Sequence, residues 1–254
     1  MSFTRYDSLK DRTVVVTGGA SGIGEAFVRA FVENQARVAF LDLQEDAGAA
    51  LVERLRSVGP PPLFVPCDLT DLTALRAALD SVQAALGPAA VLVNNAANDQ
   101  RLGFETVSPD QFDWMIAVNL RHVFFAAQAI VPQMRARGGG SIVNMSSIAW
   151  MRGIADLEVY TAAKAAIVGF TNSLARTVGP ARIRVNAIAP GAVLTPRQRR
   201  LWTRDDAAIE SIRARQCLPD LIAEADIANM ALFLASDDAR SITKQTFAVN
   251  AGML

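Results

Sequence analysis

Cysteine and histidine are nearly missing from this 254-residue chain, and so is any excess of charge. Its two cysteines, Cys67 and Cys217, are too few for a disulfide framework or a zinc cluster. A single histidine, His122, excludes a multi-histidine site, so no metal is expected. Lys+Arg and Asp+Glu balance at 25 each, which gives no support for a nucleic-acid or membrane-surface partner. No run approaches the ~18 uninterrupted apolar residues of a membrane helix. The opening M-S-F-T-R-Y-D-S-L-K lacks the apolar core of a secretion signal, and the expected compartment is the cytoplasm. No internal repeat or low-complexity tract occurs. What remains is 51% apolar and 20% charged, the composition of a soluble globular protein with a substantial core.

Strand-like and helix-like segments alternate along the chain with almost no linker. Expected strands are Thr13 to Thr17, Arg37 to Leu41, Leu63 to Val65, Ala90 to Val93, Ser141 to Met145, Ile183 to Ile188 and Thr246 to Val249. Between them fall helices over Gly22 to Asn34, Glu45 to Ser57, Asp71 to Leu86, Glu158 to Val178 and Glu224 to Ala235. One long helix is expected within Pro109 to Arg137, accommodating Pro132 near its end. A less regular, Arg-rich insert, a candidate substrate loop, runs over about 196–219. Such alternation implies a single α/β domain over 1–254, a doubly wound parallel sheet of about seven strands with helices on both faces.

The most pointed stretch is Y-T-A-A-K, Tyr160 to Lys164, inside an amphipathic helix. Residues four apart share a helix face, and an ammonium beside a phenol favours the phenolate. Lowering a phenol by ~3 units from its usual ~10 makes a base usable near neutrality, at about 1.4 kcal/mol per unit. Alone, that spacing is an ordinary helix face with a snorkelling lysine. T-G-G-A-S-G-I-G (Thr17 to Gly24) joins the first strand and helix, where glycines let a pyrophosphate approach the backbone at a helix N-terminus. Its spacing places glycine at 18, 22 and 24. Asp42 ends the second strand, where an acid can accept both ribose hydroxyls of an adenosine and repel a 2′-phosphate. Ser21 and Leu43 occupy the places where a cation would neutralise that phosphate, so NAD is favoured over NADP. Asp68, Asn94-Asn95-Ala96-Ala97 and Ser146-Ser147 end the next strands on the same edge, where such sheets bind ligands.

These pieces, with Asn119 and P-G-A-V-L-T from Pro190 to Thr195, resemble the short-chain dehydrogenase/reductase family over essentially the whole chain. Ser147 lies 13 residues before Tyr160, the family spacing. The resemblance implies Tyr160 as proton donor or acceptor and Ser147 as the residue orienting the substrate oxygen. It implies that Lys164 holds the nicotinamide ribose and depresses the tyrosine, with Asn119 holding a water in a proton relay. Cofactor contacts are implied at Gly18, Ser21, Gly22, Ile23, Gly24, Asp42, Leu43, Asp68, Leu69, Asn95, Ala96, Tyr160, Lys164, Pro190, Gly191, Val193 and Thr195. A homotetramer packed through the long helices and the C-terminal strand is implied as well.

A narrower likeness, to bacterial NAD-dependent aldose 1-dehydrogenases, rests on N-N-A-A-N-D-Q-R, V-N-L-R-H, S-I-V-N-M-S-S-I-A-W-M, R-Q-R-R-L-W and Q-C-L-P. Those enzymes oxidise C1 of a free sugar to a lactone, and the likeness points to Asn98, Ser147, Ala149, Trp150, Arg152, Tyr160, Arg197 and Gln198 as the sugar site. Asp99, Gln100 and Arg101 offer similar chemistry. Two departures stand out: Arg152, where a less charged residue is expected, and Lys244, where the family has glycine in T-G-Q. His122 reads as a helix-packing imidazole. Alternatives are a dehydrogenase of another alcohol or ketone, or a nucleotide-sensing protein without chemistry, against which the intact Ser147, Tyr160, Lys164 and Asn119 argue. A further alternative concerns charge. Arg101, Arg152, Arg197, Arg199 and Arg200 either point into water or converge on an acidic group at C6 of the sugar, a carboxylate, phosphate or sulfonate.

Overall fold

A computed structural model describes residues 3–201, 203 and 205–254. Seven strands form one sheet in the order β3-β2-β1-β4-β5-β6-β7, every pair parallel. They are β1 (Thr13–Thr17), β2 (Arg37–Asp42), β3 (Leu63–Pro66), β4 (Val91–Asn94), β5 (Gly140–Met145), β6 (Ile183–Pro190) and β7 (Thr246–Val249). The helices are α1 (Gly22–Glu33), α2 (Glu45–Leu55), α3 (Leu72–Leu86), α4 (Pro109–Ile116), α5 (His122–Ala136), α6 (Ala149–Arg152) and α7 (Glu158–Val178). Beyond them lie α8 (Pro196–Leu201), α9 (Asp206–Arg213) and α10 (Glu224–Ala235).

T-V-V-V-T is buried at every position because both faces of the sheet are covered, and the alternation shows only in which face each side chain meets. Val14 and Val16 join Phe27 and Phe31 of α1 and Leu232 of α10, while Val15 joins Leu79 of α3 and Ile130 of α5. Each such buried side chain contributes about 1.5–3 kcal/mol. The register aligns Leu41, Thr17, Asn94, Asn144, Ala187 and Thr246 across the sheet. Whatever follows those residues therefore gathers at one edge. Strand order reverses between β1 and β4, which opens a crevice there.

Two differences from the sequence expectation have physical causes. The long helix is interrupted by a π turn at Ala117–Arg121. Within it, the Asn119 side chain donates to the Met115 carbonyl at 2.9 Å. The insert after Pro196 contains α8 and α9, the latter capped by Asp205, whose carboxylate accepts from the Ala208 N–H; Trp202 of that insert lies outside the described residues. Lys244 adopts φ +65°, the left-handed conformation that glycine takes without strain. The run Pro109–Ala136 is long and apolar enough to cross a membrane by length and composition, yet half of its most apolar window is buried in this fold.

Candidate active site

The turn after β1 has no room for side chains. A Cβ on Gly24 would lie 1.8 Å from the Gly18 carbonyl oxygen, and one on Gly18 (φ +67°) 2.7 Å from Ala96 Cα. Asn95 clamps the turn: its amide donates to the carbonyls of Thr17 (3.1 Å) and Gly18 (2.8 Å), and its N–H donates to Thr17 Oγ1 (3.0 Å). Ser21 precedes α1 and Ile23 is partly buried within it. Gly22 (φ +58°) faces the Thr195 side chain. The buried Asp42 carboxylate accepts the N–H groups of Ala20 (2.9 Å) and Gln44 (3.0 Å), beside the exposed Leu43. Asp68 instead spends one oxygen locally, on the N–H and hydroxyl of Thr70, with Leu69 buried behind it. Pro190 and Gly191 leave β6, where the Gly191 N–H donates to Val249 (2.9 Å), Val193 is buried, and Thr195 Oγ1 receives the Gln198 N–H that opens α8. A turn open to backbone approach, a fixed carboxylate at the end of β2 and a loop crossing from β6 fit a dinucleotide.

Tyr160 and Lys164 share one face of α7, and the Lys164 Nζ stands 5.7 Å from the tyrosine ring centroid. The Ser147 hydroxyl stands close enough to Tyr160 to favour its phenolate, and it accepts the Ala149 N–H at 3.1 Å. The expected depression of the phenol is reversed, however. Burial, and then the negative charge of Asp99, push Tyr160 up to about 12 against the lowering hydrogen bond from Ser147. Burial brings Lys164 down to about 7, with Asp99 opposing. The spacing does bring the two together, but desolvation penalises both charged forms. The ammonium, moreover, donates to the Met145 carbonyl at 2.7 Å. Ser146 steadies that arrangement by donating its hydroxyl to the Lys164 carbonyl at 2.7 Å.

Behind the pair lies a buried polar layer, of which the sequence had named Asn94, Asn119 and His122 but not Asn144 or Thr171. The Asn94 amide donates to Asn144 Oδ1, and the Asn144 amide to Thr171 Oγ1, both at 2.9 Å. His122 is fully buried, with Nε2 3.1 Å from the Ala96 carbonyl oxygen. Burial first, and then Lys164, lower it to about 4, so it is neutral and packs the helix as expected. Asn119 is fully buried too; its amide donates to the Asn98 carbonyl (3.0 Å) and its oxygen receives the Asn98 N–H (2.9 Å).

On the other side, Asp99 joins two distant segments. Its carboxylate accepts Arg197 Nε at 3.2 Å and Gln198 Nε2 at 2.5 Å, while Arg197 Nη2 reaches Asn98 Oδ1 at 3.2 Å. The loop after β4 and α8 thereby bridge the crevice. Ala149 is buried, Trp150 carries a buried indole N–H with no partner among the described residues, and Arg152 turns toward Met253. The five arginines named from the sequence divide: Arg197 is ion-paired with Asp99, Arg152 lies apart from it, and Arg101, Arg199 and Arg200 are exposed.

A family model described as enoyl-(acyl carrier protein) reductase matches residues 18–254. A probable galactose dehydrogenase of Rhizobium meliloti is 45% identical over 251 residues, 98% of each chain. A D-xylose 1-dehydrogenase of Caulobacter vibrioides is 43% identical over 252 residues, 99% of each. Among solved structures, a short-chain type dehydrogenase/reductase from Mycobacterium ulcerans superposes with TM-score 0.91 at 28% identity, covering 100% of this chain and 91% of that one. A blue fluorescent protein from a metagenomic library, in complex with NADPH, does so with TM-score 0.89 at 32% identity, covering 97% and 99%.

Proposed function

The chain belongs to the short-chain dehydrogenase/reductase family, whose members use nicotinamide cofactors, and on that premise we propose that it oxidises the C1 hydroxyl of a free aldose to the aldonolactone. The observation that carries the reading is the placing of Tyr160 and Lys164 on one face of α7, ammonium 5.7 Å from the ring centroid, with Ser147 close enough to act on the phenol at the ligand edge of the sheet. The sugar comes from the galactose and D-xylose dehydrogenases that this chain resembles, and from a rim rich in amide, carboxylate and guanidinium groups with one indole. NAD, when bound, supplies the hydride acceptor. Ser147 holds the C1 oxygen, and Tyr160 takes its proton while passing its own phenolic proton on toward an unprotonated Lys164. Lys164, close to 7, can give or take a proton at neutral pH, the property required behind a phenol that burial keeps neutral. Exposed Phe112, Trp114, Phe124 and Phe125 on α4 and α5 support the homotetramer packed through these helices.

Reduced-cofactor formation across a panel of aldoses, with the product identified as lactone, tests the reading. Activity on none of them, or oxidation away from C1, overturns it. NAD is the proposed coenzyme because the Asp42 carboxylate is fixed by two backbone N–H groups where a 2′-phosphate would stand. Asp42→Ala should raise the KM for NAD about tenfold, the loss of charge-assisted hydrogen bonds of roughly 1.5–3 kcal/mol. Equal kcat/KM with NAD and NADP in the unaltered protein sinks that choice.

A further inference from the structure

Several guanidinium groups among the described residues find a carboxylate or a set of carbonyls. Arg12 pairs with Asp237, Arg54 with Glu25 and Arg197 with Asp99, while Arg184 donates to the carbonyls of Leu234 and Ser236. Arg152 departs from this pattern. It is partly buried, and its Nη1 donates at 3.2 Å to the thioether sulfur of Met253, a weak acceptor. Among the described residues, no carboxylate lies within ion-pair distance of it, and the charge that acts on it is another guanidinium, Arg215.

Arg215 lies just past α9, and the chain that follows it is stitched to the turn on which Arg152 rests. The N–H groups of Cys217 and Leu218 donate to the Ala251 carbonyl at 2.8 and 3.1 Å, and Cys217 Sγ reaches the Gly252 carbonyl at 3.3 Å. Two arginines from separate segments thus flank residues 250–253. An arginine at a helix end is ordinary when its head stands in water. Arg215 is exposed and Arg152 only partly so, and an anion bound between them would relieve the repulsion of the two like charges.

Position says which ligand. Ser147 caps the start of α6 through the Ala149 N–H, and Arg152 closes that helix one turn later. At ~1.5 Å of rise per residue, the five steps from Ser147 to Arg152 span roughly 7 Å or more of backbone. That is comparable to the distance from C1 of a hexose to a group carried on C6. We propose that Arg152 and Arg215 form an anion-binding pair at the far end of the substrate site, and that the aldose oxidised here carries a carboxylate, phosphate or sulfonate remote from C1. The proposal rests on the sugar-dehydrogenase reading above. Two planar guanidiniums can bind such a group through parallel N–H donors, an interaction that a neutral hydroxymethyl cannot match. Arg197 is not a member of the pair, because Asp99 already neutralises it.

The test compares kcat/KM for glucose and galactose with their C6-carboxylate, C6-phosphate and C6-sulfonate analogues. At least one anionic sugar should exceed its neutral parent by about thirtyfold. Arg152→Gln and Arg215→Gln should each cut the anionic-to-neutral ratio by about tenfold, and Arg152→Lys should restore part of it. Inorganic sulfate should inhibit competitively against the anionic sugar, and a noncompetitive pattern would place the anion elsewhere and overturn the pair. An unchanged ratio in both glutamine variants overturns it too. If only neutral sugars react, the anion proposal falls and the sugar reading stands; if no sugar of either kind reacts, both fall.

Discussion

The glycine turn after β1 and the rim formed by α6, α8 and α9 share one sheet edge, yet a single added methyl group would act very differently on the two. At Gly24 it would land 1.8 Å from a backbone oxygen. At Gly153, where α6 ends, nothing among the described residues lies within 4 Å and the cost is confined to a φ of +60°. The same contrast holds for the carboxylates. Asp42 is fixed by two backbone N–H groups, of Gln44 and of Ala20 in the turn after β1, whereas Asp99 is held by the side chains of Arg197 and Gln198, about a hundred residues away. One end of the crevice is built from backbone and tolerates almost no variation. The other is built from side chains on short elements and can be rebuilt for a new substrate.

The hardest test of that division lies between the two ends. Tyr160→Phe should leave the fold and NAD affinity nearly intact while lowering turnover about a thousandfold, within the range for losing a general base. Retention of a tenth of wild-type turnover by the folded variant would refute the assignment. Lys164→Met should lower turnover about a hundredfold and yet raise thermal stability, because the buried amine is held at about 7 against an ordinary 10.5. The sign follows from that depression. The wild-type lysine contributes fully above pH 10.5, and its contribution is lost as pH falls toward 7, where the burial penalty is complete. The variant's gain in Tm should therefore be largest at pH 7 and below and shrink toward pH 9.5. Tyr160 does not interfere in that window, since its raised value disfavours folding only as pH climbs past 10. A gain that grows with pH would contradict the burial argument.

The comparison sharpens at the glycines. Gly24→Ala should weaken NADH binding about thirtyfold or more, since overpacking against backbone costs about 1–3 kcal/mol or above. Gly153→Ala should cost only about 1 kcal/mol of stability, the strain of a left-handed alanine, and leave NADH binding as it was. Fluorescence titration of NADH reads both. Equal losses would mean that the rim is as rigid as the turn.

The same division explains what could be read from the sequence. T-V-V-V-T, the glycine turn and Asp42 each carry a local signal, a β-branched run, a glycine spacing and an acid ending a strand, so strand, turn and carboxylate were all legible. Glu158–Val178 was bounded correctly because its apolar positions keep one period from end to end. The π turn at Asn119 was not legible, since an i→i+5 bond has no composition of its own. Four-residue α6 is too short for a period. Tyr160 and Lys164 were placed together by spacing, but the direction of their shifts depends on burial, which spacing does not report. Asp99 with Arg197, and Arg152 with Arg215, are meetings of remote segments that no local pattern announces. Lys244 in a left-handed conformation was foreshadowed by the glycine expected there.

The smallest effect is expected at Arg197, and it separates the two groups of arginines. Its side chain is 44% exposed and that of Asp99 is 21% exposed, so the pair is largely solvent-screened and contributes about 0–1 kcal/mol. Arg197→Ala should raise the sugar KM about threefold with kcat little changed, and the preference between anionic and neutral sugars should shift less than twofold. Losing the guanidinium leaves the Asp99 charge less compensated. That charge already raises both Tyr160 and Lys164, so any pH limb in kcat should move upward by a fraction of a unit and not downward. A downward shift would mean that Asp99 does not act on the reacting pair. A fall in anionic preference as large as that of Arg152→Gln would return Arg197 to the anion site, and the bridge over the crevice would then be part of substrate recognition.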